Sequence, residues 1–490
     1  MRFVIRQIFL FCLLFLFGAG TQAHAQDSVE GRLSYLLSHG LTDNPVIALK
    51  DEAVRRAQGN VLSAEGAFDW RTTVEGGLVR RRVIQVAPNG ALTDDTEWEI
   101  FKEIAGGFSK TFRNGIEVTP GVRAFFGDNN NSTASRVVSQ TDIQPTFEVK
   151  IPLLANSGRA NVTAPVRAAQ QRLTAAQYRK AAEEATVAHD LVVAYWRCVG
   201  TGERVGAEVE LKQTMTAHTA RQKRLANAGE IPLSAYLAPA ADLSAQEMTL
   251  NEARRTQTEA CRQLAAISGT TDIADQLLPR LPSPEQIFAP DASVEDLYVE
   301  TALMQRRDIQ ALGAEMTASQ VQEANAAGDK KPDLDLILDL DRVLLRLAAS
   351  PQNRVARGQY EAARAAYGEA RLQVALAQRD ARNEVLDALF RLRGAIQGYT
   401  DAQVLENDLI AMRADAARSV ALGLADPVVE LDATQRLAGI RRTLSDAGIQ
   451  AWVALADLQL SLGAVPASGE TDFATLARVF LTDPQIVSMP

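Results

Sequence analysis

After residue 25 the sequence has no apolar stretch of 18 residues. A bilayer-spanning helix needs ~20 such residues, so a polytopic helical membrane protein is excluded. Cysteine is scarce, three in 490 residues, which excludes a scaffold built on disulfides. A basic excess is missing too. Lys and Arg total 51 against 60 Asp and Glu, a net charge of -9, and no basic stripe points to nucleic acid. Apolar content of 47% and charged content of 23% exclude a largely disordered chain. Enzyme signatures are lacking: there is no His-Glu-x-x-His, paired Cys-x-x-Cys or phosphate-loop pattern. Past the first 25 residues the histidines are His39, His189 and His218, far apart in sequence. His189 and Asp190 are neighbours on a helix and are expected not to face each other. We therefore expect no catalytic, cofactor-binding or metal-binding residues, no cofactor, and no enzyme.

What is present begins at the N-terminus. Arg2 and Arg6 precede an apolar run over residues 8–17, and Ala23-His24-Ala25 ends the segment. A basic start, a short apolar middle and a small-x-small end describe a signal peptide over 1–25. The alternative, a membrane anchor, would need about twice the apolar length. Cys12 lies inside the apolar run, not after small residues at a cleavage point, which argues against a lipoprotein. An exported chain with no spanning helix enters a membrane, if at all, as strands.

The chain also repeats itself. Arg224 and Gly229 recur as Arg418 and Gly423, and Gly269 recurs as Gly463, all at an offset of 194. Gly158-Arg159 recurs as Asn353-Arg354 at an offset of 195. From Arg159 to Gly229 and from Arg354 to Gly423 the sequence is rich in Ala, Gln, Arg and Glu, strong helix formers. Each stretch would form a helix ~100 Å long. Val187, Leu191, Val192, Tyr195, Cys198 and Val199 form a stripe at helical spacing, as do Leu372, Leu376, Leu386, Leu389 and Phe390. Glycine followed by proline stops each helix, and a second helix returns. The expectation is two antiparallel helical hairpins.

Residues 69–153 alternate with period two. Ile143, Pro145, Phe147, Val149 and Ile151 alternate with Gln144, Thr146, Glu148 and Lys150. Trp98, Ile100, Ile104, Phe108 and Phe112 share one parity, and Trp70, Val74 and Leu78 do likewise. Asn114-Gly115 signals a tight hairpin, while the connections near 85–97 and 127–141 are long and polar. Four strands, near 70–84, 97–113, 116–126 and 143–153, fit an outer-membrane barrel. A soluble antiparallel sheet alternates in the same way and stays open at this point. In the second repeat Leu334, Leu336, Leu338 and Leu340 alternate with acids before residues 342–347. Arms of about six residues are too short to cross a bilayer.

At these residues the chain resembles the outer-membrane efflux channel family (TolC-like). The resemblance rests on Phe68-Asp69-Trp70, on Ile151-Pro152-Leu153-Leu154 with Gly158-Arg159, on Arg307-Asp308-Ile309, on Lys331-Pro332-Asp333-Leu334, and on Pro351-Gln352-Asn353-Arg354. It covers about residues 27–463. It implies a mainly α protein with a transmembrane β-barrel portion: two tandem repeats of long antiparallel coiled-coil helices forming a trimeric α-barrel, with strands contributing to a shared barrel. It implies a passive outer-membrane exit duct of a tripartite efflux or type I secretion system in a Gram-negative envelope, with a periplasmic extension. The implied partners are two further copies of the chain, a periplasmic adaptor (membrane fusion) protein, an inner-membrane RND or ABC pump, and outer-membrane lipid. Family members give two membrane strands per repeat. Here the first repeat would supply all four and the second only a short hairpin at the barrel's periplasmic rim. The alternative from another class is a non-conducting periplasmic coiled-coil scaffold that binds envelope partners.

This reading divides the chain into a signal peptide (1–25), an N-terminal helical or equatorial segment (26–68), the strand region of repeat 1 (69–153) and its helical hairpin (154–269). A linker (270–293), a second helical or equatorial segment (294–331), the short β-hairpin (332–350), the second helical hairpin (351–463) and a tail without an assigned role (464–490) follow. Asp426, Glu430 and Asp432 are candidate periplasmic gate residues, because each carboxylate in a trimer becomes a ring of three. Acids near a helix N-terminus are also favoured by its dipole alone. Arg224, Gly229, Arg418 and Gly423 are candidate adaptor-docking tips, or simple hairpin turns. In a hairpin turning near residue 230, Cys198 faces about residue 262, which brings it next to Cys261. A disulfide is expected in an oxidising compartment; two buried free thiols are the alternative.

Overall fold

The computed structural model describes residues 29–86, 92–129, 138–155, 157–270 and 273–482, the last span without 274–276, 278–279, 285–286, 288–291 and 468. The signal-peptide expectation and the centre of the 127–141 connection lie outside these residues. The element order is α1 (Val29–Thr42), α2 (Pro45–Glu65), β1 (Arg71–Val86), β2 (Leu92–Thr111), β3 (Glu117–Asn129), β4 (Val138–Pro152), α3 (Arg159–Val162), α4 (Ala164–Asn227) and α5 (Leu233–Ser268). Then come α6 (Glu295–Gln305), α7 (Arg307–Gly328), β5 (Asp333–Leu338), β6 (Val343–Ala348), α8 (Arg354–Ala421), α9 (Pro427–Ser461) and α10 (Phe473–Val479). The protein is mostly helical with one antiparallel sheet. Of the described helices, none is long and apolar enough to cross a membrane.

The chain divides into two compact units, and α4 and α8 contribute residues to both. The first unit comprises residues 1–53, 177–311 and 375–490. Its core joins both helical hairpins to α1 and α10: Leu33, Leu36 and Leu37 meet Leu191, Tyr195, Trp196, Leu264, Leu389, Leu392, Leu455 and Phe480, all fully buried. Trp196 stacks on Trp452 with ring centroids 4.8 Å apart. The Trp452 indole N–H donates to the Pro282 carbonyl at 2.9 Å, and the Leu281 N–H donates to Glu203 at 2.7 Å. The proline-rich linker is thereby tied to the hairpins. Gly200 lets α4 and α9 cross closely, since a Cβ there would lie 2.2 Å from Ile449. The tail is also part of this core. Leu476 and Ala477 of α10 are buried, and Arg478 pairs with Glu30 at 2.8 Å.

The second unit comprises residues 54–176 and 312–374. It holds a six-stranded sheet in the order β1-β2-β3-β4-β5-β6, antiparallel throughout. Asn114-Gly115 makes the tight β2–β3 turn, with Gly115 at φ +94° and the Ile116 N–H donating to Asn114 Oδ1. The first four strands have 16, 20, 13 and 15 residues, longer than the alternation alone marks out, while β5 and β6 have six each. The short hairpin pairs only with the last four residues of β4, Val149↔Leu338 to Pro152↔Asp335. The residue before each repeat's long helical segment has a positive φ: Gly158 at +82° and Asn353 at +42°. Glycine adopts positive φ at no steric cost, and asparagine is among the other types that do so most readily.

Candidate functional site: the sheet face and the hairpin tips

Cross-strand partners point to the same side of a sheet. Pairing therefore places Val74, Leu78, Ile104, Phe108, Val122, Ala124, Phe126, Ile143 and Phe147 on one face. Of these, Val74 is 75% exposed, Leu78 72% and Ile143 64%, and Ile104, Phe108, Val122, Phe126 and Phe147 are exposed as well. The opposite face carries Glu75, Glu103, Thr119, Arg123, Gln144, Thr146 and Glu148, with Arg123 and Glu103 paired at 2.9 Å. The mainly apolar face, which also carries Lys102, is left open to the surroundings. A soluble two-sided sheet would do the reverse with its apolar side. Among the described residues, open sheet edges include the outer edge of β1, the outer edge of the short β6, and β4 over residues 138–148, beyond the reach of β5.

The tips that the repeat singled out have one architecture. The Ala228, Gly229 and Glu230 N–H groups donate to the Arg224, Ala226 and Leu225 carbonyls. The Leu422, Gly423 and Leu424 N–H groups donate to the Arg418, Val420 and Ser419 carbonyls. This crossed pattern is the Schellman stop, and its left-handed position is Gly229 (φ +77°) and Gly423 (φ +72°). Arg224 and Arg418 are exposed, and Arg418 reaches Asp415 at 3.3 Å. Apolar side chains surround both turns: Leu233 and Leu237 at the first, Leu422, Leu424, Val428 and Val429 at the second, all exposed.

The three acids sit on the first turns of α9 in different settings. Asp426 caps the helix, its carboxylate accepting from the Val428 N–H at 2.9 Å, with Pro427 next. Asp432 pairs with Arg436 one turn on, at 2.9 Å. Glu430 lines a cavity of about 390 Å³ with His218 and Arg221. Burial is the main reason the His218 pKa is lowered; Asp426 opposes this and Arg221 adds to it.

Sequence reasoning missed the polar links between the repeats. Glu210 on α4 binds Arg413 on α8 and Arg441 on α9, and Arg441 also holds Glu406 at 2.9 Å. Burial tends to raise the Glu210 pKa, but the two arginines outweigh it and hold it low. The fully buried Glu208 lies 2.5 Å from Arg442 and accepts from Gln246 at 2.6 Å. The only available signal was charge on an otherwise apolar helix face, which does not say which helix answers it. The geometric expectation for His189 also needs correction. Its Nδ1 lies 3.0 Å from Asp190 Oδ1 and its Nε2 lies 2.8 Å from Asp457 Oδ1. Adjacent helical side chains diverge at Cβ, but the imidazole reaches back to the carboxylate beside it. Burial lowers the His189 pKa, and the two carboxylates together more than reverse this, so the net shift is upward. The cysteines form a bond: Cys198 and Cys261 are joined, with Cα atoms 4.8 Å apart.

No protein-family model matches the sequence, and no curated protein does either. Solved structures do. The outer membrane channel CmeC of Campylobacter jejuni is 14% identical, with a TM-score of 0.63 over 93% of this chain and 90% of that one. The outer membrane protein VceC of Vibrio cholerae is 17% identical, with a TM-score of 0.62 over 88% of this chain and 96% of that one. The MtrE outer membrane channel of Neisseria gonorrhoeae, in its open state, is 14% identical, with a TM-score of 0.60 over 88% and 89%. The chain has the fold of these outer-membrane channels, long helical hairpins with one antiparallel sheet.

Proposed function

We propose that this chain is the outer-membrane exit duct of a tripartite efflux or type I secretion assembly, a passive conduit from periplasm to exterior and not an enzyme. The observation that carries this reading is the mainly apolar, exposed face of β1–β4, broken by Lys102 and Lys110, opposite a polar face that holds the Arg123–Glu103 pair. Such a sheet fits lipid outside and water inside. Within lipid every backbone group must be paired, so the open edges of β1 and β4 need partners. In a homotrimer β4 of one copy meets β1 of the next in antiparallel sense, and three copies close twelve strands. The short β5–β6 hairpin, attached only at the helical end of β4, then sits at the periplasmic rim.

The tips at Arg224, Gly229, Arg418 and Gly423 serve as the dock for a periplasmic adaptor, which links the duct to an inner-membrane RND or ABC pump. Exposed leucine and valine around both turns support docking. Asp432 and Glu430 contribute acidic rings at the constriction, and Asp426 combines that role with capping. The outer membrane of a Gram-negative cell is the site of action, and residues 1–25 direct export.

Conductance in planar bilayers tests the reading. Purified full-length protein is expected to insert and give discrete steps. Purified protein that sediments with outer membranes but never conducts would instead favour the scaffold.

A further inference from the structure

Gly158-Arg159 opens the first helical segment, and the proposed function gives Arg159 no task. In the second unit Arg159 lines a cavity of about 170 Å³ with Arg113, Arg167 and Phe68. Thr163 and Val166, both buried, also line it. The three arginines come from different places: Arg113 from the β2–β3 turn, Arg159 from the start of α3 and Arg167 from the first turn of α4. No acidic residue lines the cavity. Among the described residues no carboxylate pairs with any of the three. Arg167 donates to the Ala160 carbonyl at 2.7 Å, and Arg113 lies over the Phe68 ring at 5.8 Å. Three guanidinium groups converging without a counter-charge repel one another, unless an anion joins them. Guanidinium is the side chain best matched to phosphate oxygens. A water occupies ~30 Å³ in the liquid, so the cavity has room for a tetrahedral oxyanion.

A second observation gives the depth. Lys110 sits over the rings of Trp70 and Phe112, at 5.3 and 5.7 Å. Both rings are exposed and lie at the helical end of the sheet. Exposed aromatics with a cation beside them, at the end of an apolar strand face, mark the headgroup level of a bilayer.

We propose that Arg113, Arg159 and Arg167 form a binding site for a phosphate-bearing anion at the periplasmic boundary of the barrel. The site rests on the membrane reading of the sheet. Its ligand is a phosphodiester headgroup of an anionic lipid or a free phosphate. Arg354, the counterpart of Arg159, does not line this cavity.

Native mass spectrometry of the full-length protein in detergent, with phosphatidylglycerol or phosphatidylcholine added, tests this, together with titration of inorganic phosphate. The wild type is expected to retain phosphatidylglycerol over phosphatidylcholine. The R113Q/R159Q/R167Q variant is expected to lose that retention by about a hundredfold, since each surface cation adds roughly a factor of five. R354Q is expected to behave as wild type. Retention of phosphatidylglycerol without phosphate binding identifies the lipid as the source. Arginine-dependent binding of phosphate itself identifies a free anion. Equal lipid and phosphate binding by wild type and triple variant, with matched thermal melting, overturns the site. Sedimentation with outer membranes is measured separately. If the protein does not sediment there, the duct reading fails, and the phosphate titration still decides the site.

Discussion

Adding 194 to Cys198 and Cys261 gives Leu392 and Leu455. The equivalent places in the two hairpins thus hold a covalent bond in one and two fully buried leucines in the other. The tips are built alike, hydrogen bond for hydrogen bond. The strands that the two repeats contribute to the sheet are not alike: 13–20 residues in repeat 1 against six in repeat 2. The comparison teaches that the repeat conserves the helix stops, where backbone geometry allows few solutions. It lets the clamp between the arms and the reach of the strands vary. In this account repeat 1 carries the membrane and a rigid hairpin, and repeat 2 carries the hairpin held only by packing and side-chain pairs.

The largest break in that comparison comes from the strands. Ile104→Arg and Ile143→Arg place a charge on the apolar face of β2 and β4, at ~2–4 kcal/mol each near mid-bilayer. Heat-resistant trimer in outer-membrane fractions is expected to fall sharply. Leu345→Arg, on the short β6, is expected to leave it nearly unchanged. Equal losses in both repeats would remove the asymmetry.

Next comes the clamp. Replacing Cys198 and Cys261 by alanine is expected to destabilise the first unit by about 2–5 kcal/mol. Leu392→Ala costs a similar ~2–5 kcal/mol through its cavity. Only the cysteine effect is reproduced in the wild type by a reducing agent, read by thermal melting. Two free thiols per exported chain on denatured, unreduced protein would contradict the clamp.

The tips give a smaller effect. Asp426→Ala removes a cap that the first tip, with Pro232 at the same place, does not have. It is expected to cost ~1 kcal/mol of helix stability. Asp432→Asn is expected to lower cation preference in conductance while leaving melting unchanged, which separates gate from cap.

The smallest effect is one of pH. Because the folded-state pKa of His189 is raised, its link from α4 to α9 through Asp457 stabilises fully below the ordinary imidazole range near 6.5. That contribution fades as pH rises through the higher folded-state value. His189→Gln is expected to flatten melting temperature against pH across that window. An unchanged slope would show that the pair is not coupled to folding.

Much of this was legible because it depends on local rules. Period-two alternation marked β1–β4, Asn114-Gly115 marked a turn, and Arg-to-Gly spacing marked both tips. The strands run past the alternating cores through mostly polar stretches, 92–96, 127–129 and 138–142, whose sequence shows no apolar face. The tail was opaque because burial of Phe480 against α1 joins opposite ends of the chain. The same holds for Glu210, whose partners Arg413 and Arg441 lie more than 200 residues away. Hairpin arithmetic reaches across one repeat and not between two. Among the candidate site residues, the turn geometry of Gly229 and Gly423 was readable from composition. The capping role of Asp426 needed the helix start to be known.

The central claim is that repeat 1 alone crosses the outer membrane, with four strands. Single cysteines at positions 129 and 114 test it in intact cells with a membrane-impermeant maleimide, with the native cysteines replaced by alanine. Asn129 ends β3 away from the helices, and Asn114 lies in the β2–β3 turn at the helical end. Labelling is expected at 129, and at 114 only once the outer membrane is permeabilised. Assembled protein that stays unlabelled at 129, or labels equally at both positions, would contradict the four-strand topology.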